Sequence, residues 1–145
     1  MPINHEDNVV STPTVLIADD DPDLLEALAT RISSHGCHIV TATDGLTALS
    51  CIDITEPDLI ILDIEMPGGN GLAVCEMVAT NEKLAHTPVI LFSGQDSVPI
   101  RNRCRQLGAT WIPKSPRAWL ELQPHIESLH KRLDSTETQN FHPAS

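Results

Sequence analysis

The sequence predicts a single doubly wound α/β domain, a three-layer (βα)5 arrangement around a parallel five-stranded sheet. Three observations carry that reading. The first of five short runs that read as strands, TVLIA, is apolar throughout instead of alternating, as expected of a strand covered on both faces. Between them, apolar residues recur at helical spacing. And 145 residues suffice to bury one core but not two.

Taken in order, residues 1–12 are a polar lead-in. TVLIA (14–18) is the first strand and runs into Asp19, Asp20 and Asp21. Leu24, Leu25, Leu28 and Ile32 mark the first helix, with Gly36 as its expected C-cap. CHIVTA (37–42) is the second strand, and Leu46, Leu49 and Ile52 give the apolar stripe of a helix stopping before Pro57. DLIILD (58–63) is the third strand, followed by a helix carrying Leu72, Cys75, Val78 and Ala79. PVILFS (88–93) is the fourth strand, and a short fourth helix ends at Leu107-Gly108-Ala109. TWIP (110–113) is the fifth strand.

The last helix is expected to open on Ser115 as N-cap, with Pro116 at its first position. It places Leu122, Ile126, Leu129 and Leu133 on one face, and Pro124 should kink or interrupt it. Residues 134–145 read as a polar, frayed tail, which bounds the domain at 13–133. Periodicity does not yield the strand order. It does yield the functional edge, because ligands of such sheets bind outside the carboxyl ends of the strands.

A net charge of −11 argues against direct nucleic-acid binding and against docking on anionic membranes. No apolar run approaches the ~20 residues that span a bilayer. The polar N-terminus lacks the basic-then-apolar order of a secretory signal, so the expected compartment is the cytoplasm. Cys37, Cys51, Cys75 and Cys104 form no Cys-x-x-Cys pair and read as reduced, mostly buried residues. The seven histidines show no metal-ligand spacing; His125 and His130, five apart, do not share a helix face. Arg101, Arg103 and Arg105 form a basic strip, by default a solvated face and alternatively a dock for an acidic partner.

At the carboxyl ends of the strands stand Asp19, Asp20, Asp21, Asp63, Ser93 and Lys114. Each alone has an ordinary reading: acids in a turn before a helix, a strand-end acid, a loop hydroxyl, a solvated amine. Together they suit phosphoryl chemistry. Clustered carboxylates repel one another and raise their own pKa values unless a cation neutralises them, and Mg²⁺ takes such oxygens. Asp63 could serve as a nucleophile forming an acyl phosphate, while Ser93 and Lys114 bind the transferring oxygens. The acidic DDDPDLL turn would repel a bare phosphate, and neither glycine-rich nucleotide motif occurs in the chain.

VLIADDDPDLL, PDLIILDIEMPGGNGL, PVILFSG and GATWIPKS, in this order, resemble the receiver domain of two-component response regulators over residues 13–133. The resemblance implies a flavodoxin-like fold with strand order 2-1-3-4-5. It implies Asp63 as phosphoacceptor from the phosphohistidine of a sensor histidine kinase or histidine phosphotransfer protein. Asp20, Asp63 and the backbone carbonyl of Glu65 would bind Mg²⁺, or Mn²⁺ in its place, with Asp19 holding it through water. Lys114 would pair with the phosphoryl oxygens, Ser93 would move inward to them, and Trp111 would swing in behind Ser93 as the aromatic switch; alone, Trp111 reads equally well as a packing residue.

The output surface would be the fourth helix, fifth strand and fifth helix, open to a second copy or a downstream protein. Ser115 stands where many relatives have proline after the lysine, and the isomer of the 114–115 peptide is left open. Glu65 and Gly94 flank the site and leave the phosphoryl lifetime open. The chain reads as a stand-alone receiver or one cut from a longer regulator, not as an enzyme turning over an external substrate. Two alternatives stay beside it: a receiver that binds partners without phosphorylation, and an aspartate-nucleophile phosphatase. The second wants an aspartate where Glu65 stands, and a lid for which the chain has no room.

Overall fold

The computed structural model describes residues 12–140, with side chains described for 12–131. Five strands, β1 (Thr14–Ala18), β2 (His38–Ala42), β3 (Leu59–Leu62), β4 (Val89–Ser93) and β5 (Thr110–Pro113), pair in parallel in the order β2-β1-β3-β4-β5. Between and after them run α1 (Pro22–Ser33), α2 (Gly45–Thr55), α3 (Gly71–Ala79), α4 (Val98–Gln106) and α5 (Ala118–Asn140). This is the flavodoxin-like order expected.

The uninterrupted apolar runs of β1, β3 and β4 are explained by two cores. Successive residues point to opposite faces. Val15, Ile17, Leu59, Ile61, Ile90 and Phe92 meet Leu25, Leu28 and Ile32 of α1 and Leu122, Ile126 and Leu129 of α5. Leu16, Ala18, Ile60, Leu62 and Leu91 face the other layer, with Ala48 and Ile52 of α2, Val74, Cys75 and Val78 of α3, and Cys104 of α4. Alternation in space is therefore invisible as alternation in polarity.

Local signals set the helix ends. Asp21 caps α1, accepting from the N–H groups of Asp23 (3.1 Å) and Leu24 (3.3 Å). Asp44 caps α2, Asn70 caps α3 and Ser97 caps α4 through the same side-chain-to-backbone bonds.

Several expectations are corrected. The C-cap of α1 is Ser34, and Gly36, at φ +82°, turns the chain two residues later. Leu46 is 69% exposed, and the buried stripe of α2 is Gly45, Ala48 and Ile52. The phase is set by Gly45, whose N–H donates to Pro67 O (3.0 Å) and whose added Cβ would lie 2.2 Å from Gly69 O. A 3-10 turn, Glu82–Leu84, follows α3.

The last helix starts at Ala118 because Ser115 O takes the Ala118 N–H (2.9 Å) in a preceding turn. It runs through Pro124 without a break. That proline is exposed, so water can reach the carbonyl whose hydrogen bond the ring forfeits. The helix continues to Asn140, past the expected end at 133; residues 134–140 hold neither Gly nor Pro, and each added residue gains a backbone bond. The rest of the expected tail, residues 141–145, the lead-in up to residue 11 and the side chain of Leu133 lie outside what is described.

Candidate functional site

Parallel pairing places the site. Ala18 pairs with Leu62, so the residues just beyond them, Asp19 and Asp63, emerge side by side from β1 and β3. Both are clamped by backbone: Asp19 N–H donates to Ala42 O (3.0 Å) and Asp63 N–H to Ala18 O (2.9 Å). On the other side, β4 pairs with β5, and the Lys114 N–H donates to Ser93 O (2.9 Å) just past the register pair Ser93–Pro113. Four strands thus deliver a cluster from positions far apart in sequence.

Within it, one oxygen from each of Asp19, Asp20 and Asp63 lies within 4.8 Å of the others. Asp19 and Asp63 are buried and Asp20 is exposed. The Lys114 ammonium bridges the buried pair, at 2.8 Å from Asp19 Oδ2 and 3.2 Å from Asp63 Oδ2. Asp19 Oδ1 accepts from the Asp21 N–H (2.9 Å) and Asp63 Oδ1 from the Glu65 N–H (3.3 Å). Ser93 is fully buried, and its Oγ accepts from the Gln95 N–H at 2.9 Å.

The electrostatics follow. Burial pushes the Asp63 carboxyl above its ordinary value, and neighbouring Asp19 adds to the push. Lys114 and the Glu65 N–H offset this only in part. For Lys114, burial alone would lower the ammonium's pKa, but hydrogen bonding and attraction to Asp19 and Asp63 overcome it and hold it above the ordinary lysine value. One ammonium therefore does not neutralise the cluster. Three oxygen donors of excess negative charge, one of them already penalised for ionising, fit a hard dication such as Mg²⁺.

Asp63, Asp19, Asp20 and Lys114 are brought together as expected. Asp21 is not: it turns away to cap α1. The Glu65 side chain is exposed while its backbone sits at the rim. Trp111 is half-buried and packs on the α2–α4 side of the sheet, with the Arg101 guanidinium 4.6 Å from its ring centroid. The 114–115 peptide is trans, as is every peptide among the described residues.

Gln95 and Arg101 are site neighbours that sequence reasoning missed. Gln95 acts through its backbone, which carries no residue signal. In the sequence Arg101 belongs only to the basic strip. That strip is paired by neighbouring groups: Arg101 with Asp96 (2.7 Å), Arg103 with Glu76 of α3 (2.7 Å), and Arg105 with Asn102 (3.3 Å).

Residues 15–115 match the family model for the response regulator receiver domain. The chain belongs to that family. Among curated relatives, this receiver is 33% identical over 134 residues to the transcriptional regulatory protein PrrA of Mycobacterium tuberculosis, covering 92% of this chain and 57% of that protein. It is 33% identical to Protein PilG of Pseudomonas aeruginosa, covering 79% of this chain and 84% of PilG. It spans about half the length of the transcriptional regulators it matches. Among solved structures, the receiver domain of the Francisella response regulator 1452 superposes with a TM-score of 0.74 at 30% identity, covering 83% of this chain and 98% of that one. No helix among the described residues is long and apolar enough to cross a membrane.

Proposed function

We propose that this receiver is a phospho-accepting signalling switch with Asp63 as its phosphoacceptor. The observation carrying the proposal is a buried carboxylate at the end of β3 held 3.2 Å from Lys114, with Asp19 and Asp20 converging on it. An Asp63 oxygen attacks the phosphorus of a phosphohistidine. The new O–P bond forms as the N–P bond breaks, and the electron pair leaves with the imidazole nitrogen, which takes up a proton. Asp20, Asp63 and the Glu65 carbonyl would hold Mg²⁺ or Mn²⁺, with Asp19 acting through water. The bound cation would neutralise charge on the phosphoryl oxygens.

Lys114 already points its ammonium at the acceptor and pairs with the new phosphoryl group as the charge on Asp63 grows. Ser93 holds its hydroxyl at the rim by accepting from Gln95, which leaves its proton for a phosphoryl oxygen. Trp111 would follow Ser93 inward, shifting the population of the α4, β5 and α5 surface. The donor class is a sensor histidine kinase or histidine phosphotransfer protein, and the altered surface would receive a second copy or a downstream protein. Residues 13–133 form the switching unit in this reading, with 1–12 and 134–145 as its flanks. The test is intact mass after incubation with Mg²⁺ and acetyl phosphate. A single hydroxylamine-labile phosphoryl gain, absent from Asp63→Asn, is expected. No gain with acetyl phosphate and a cognate kinase would make the chain a phosphorylation-independent binding module. Release of phosphate from an added monoester would instead favour the phosphatase alternative.

A further inference from the structure

Arg101 of α4 ties the strand-four loop to strand five. Its Nε and Nη2 grip the two oxygens of Asp96 at 2.7 and 2.8 Å, a bidentate fork. The same guanidinium lies 4.6 Å from the Trp111 ring centroid. Asp96 follows Gln95, whose N–H holds Ser93 Oγ at 2.9 Å. Contacts therefore run without a break from Ser93 through Gln95, Asp96 and Arg101 to Trp111.

Trp111 is poorly settled at its end of this chain. Its Nε1 is buried and has no hydrogen-bond partner, a costly state for an indole donor. Packing against the apolar cluster of the α2–α4 layer and the charge above the ring hold it there. A planar guanidinium can fork onto a carboxylate and lie against a ring at once, which a lysine ammonium cannot.

We infer that Arg101 is a positioning residue that locks the resting arrangement, fixing the loop behind Ser93 through Asp96 and holding Trp111 on the α4 side of the sheet. This rests on the phosphoacceptor reading of Asp63. Loosening the fork or removing the charge moves the population toward the arrangement in which Ser93 meets a phosphoryl group, so Arg101 opposes uptake in the unphosphorylated protein. The pair is half-exposed, at 50% and 52%, which keeps the lock weak enough to release.

The test uses the full chain with Trp119→Phe, so that Trp111 is the remaining tryptophan. Asp96→Asn breaks the fork and leaves the guanidinium and ring in place; Arg101→Met removes both contacts; Arg101→Lys keeps only the charge. Two readouts are taken: Trp111 emission and acrylamide quenching without any phosphodonor, and the rate of phosphoryl gain from acetyl phosphate with Mg²⁺. All three variants should gain phosphoryl faster, Arg101→Met by about three- to tenfold. Emission of Asp96→Asn without donor should move toward that of the phosphorylated parent. Unchanged emission in Asp96→Asn, or an unchanged or slower rate in Arg101→Met with wild-type thermal stability, overturns the lock. If Arg101→Met fails to fold, Asp96→Asn and Arg101→Lys decide it. Should the parent gain no phosphoryl at all, the Asp63 reading fails, and the lock then stands if Asp96→Asn shifts Trp111 emission and quenching away from the unphosphorylated parent's and falls if it does not.

Discussion

Replacing Gly71 with alanine should cripple the site from behind, without touching any of its side chains. Gly71 opens α3, and its N–H donates to Ile64 O at 3.0 Å. A Cβ built there would lie 2.2 Å from Asp63 O, 2.9 Å from Asp63 C and 3.1 Å from Ile64 Cα. Real Cβ atoms essentially never come within 3.0 Å of such neighbours, and the crowded atoms are backbone, with no side-chain end to swing aside. Asp63 and α3 must therefore separate by about 0.8 Å or more. Asp63 is tied on its other side to Ala18 O, so part of the shift reaches its carboxylate and the 3.2 Å contact to Lys114. Misplacement on the scale of 1 Å costs roughly 10²-fold in rate, so phosphoryl gain from acetyl phosphate should fall by roughly 10- to 100-fold. Overpacking should also cost about 1–3 kcal/mol, read as a lower Tm by circular dichroism. Gly94→Ala is the stability control, since its Cβ would meet nothing within 4 Å. A Gly71→Ala protein with uptake within about twofold of wild type and an unchanged Tm would refute the reasoning.

Three further outcomes follow from the charge arrangement. The folded protein raises the Asp63 pKa, so the acid's cost to stability appears as pH climbs through the ordinary carboxylate value and is complete above the folded one. Asp63→Asn should thus raise Tm at pH 7, with a gain that shrinks as pH falls toward 3.8; equal gains across that range would contradict it. Lys114→Met leaves Asp19 facing Asp63 and should lower stability by about 1–2 kcal/mol, a figure discounted for a partly exposed lysine, with Asp63→Asn restoring most of it. Lys114 has a raised pKa, so the wild-type advantage over Lys114→Met should be full below pH 10.5 and fade above it; purely additive effects in the double mutant would remove the coupling. Adding Mg²⁺ should raise the wild-type Tm, by about 2.7 kcal/mol of stabilisation at 100 times its Kd. A shift undiminished in Asp63→Asn would place the cation elsewhere.

Much of this was legible in the residues because strand ends are sharp features. Asp19 and Asp63 each close an unbroken apolar run, so their arrival at one edge follows from parallel topology alone. Caps were less so: Asp21 looks like its two neighbours in sequence and differs only in which N–H groups it meets. The phase of α2 was not legible, because Leu46 satisfies helical spacing as well as Ala48 does, and a backbone contact from the distant Gly68-Gly69 turn decides between them. The roles of Arg101 and Asp96 were hidden for a similar reason. A charge strip in sequence does not say which carboxylate or ring will neutralise it.

The bridging position of Lys114 has a consequence for logic. Three formal negative charges, on Asp19, Asp20 and Asp63, face one positive charge, which leaves the rim two charges short of neutrality. Any phosphoryl donor is itself an anion and meets that deficit as repulsion. A single dication cancels it. Under the proposed phosphoacceptor reading, the rim would compute a conjunction: a donor without a cation would be turned away, and a cation without a donor would change only stability. In that reading output would require the coincidence of both inputs, and the acids of the β1 turn, by repelling an unaccompanied donor, would be what makes the gate an AND.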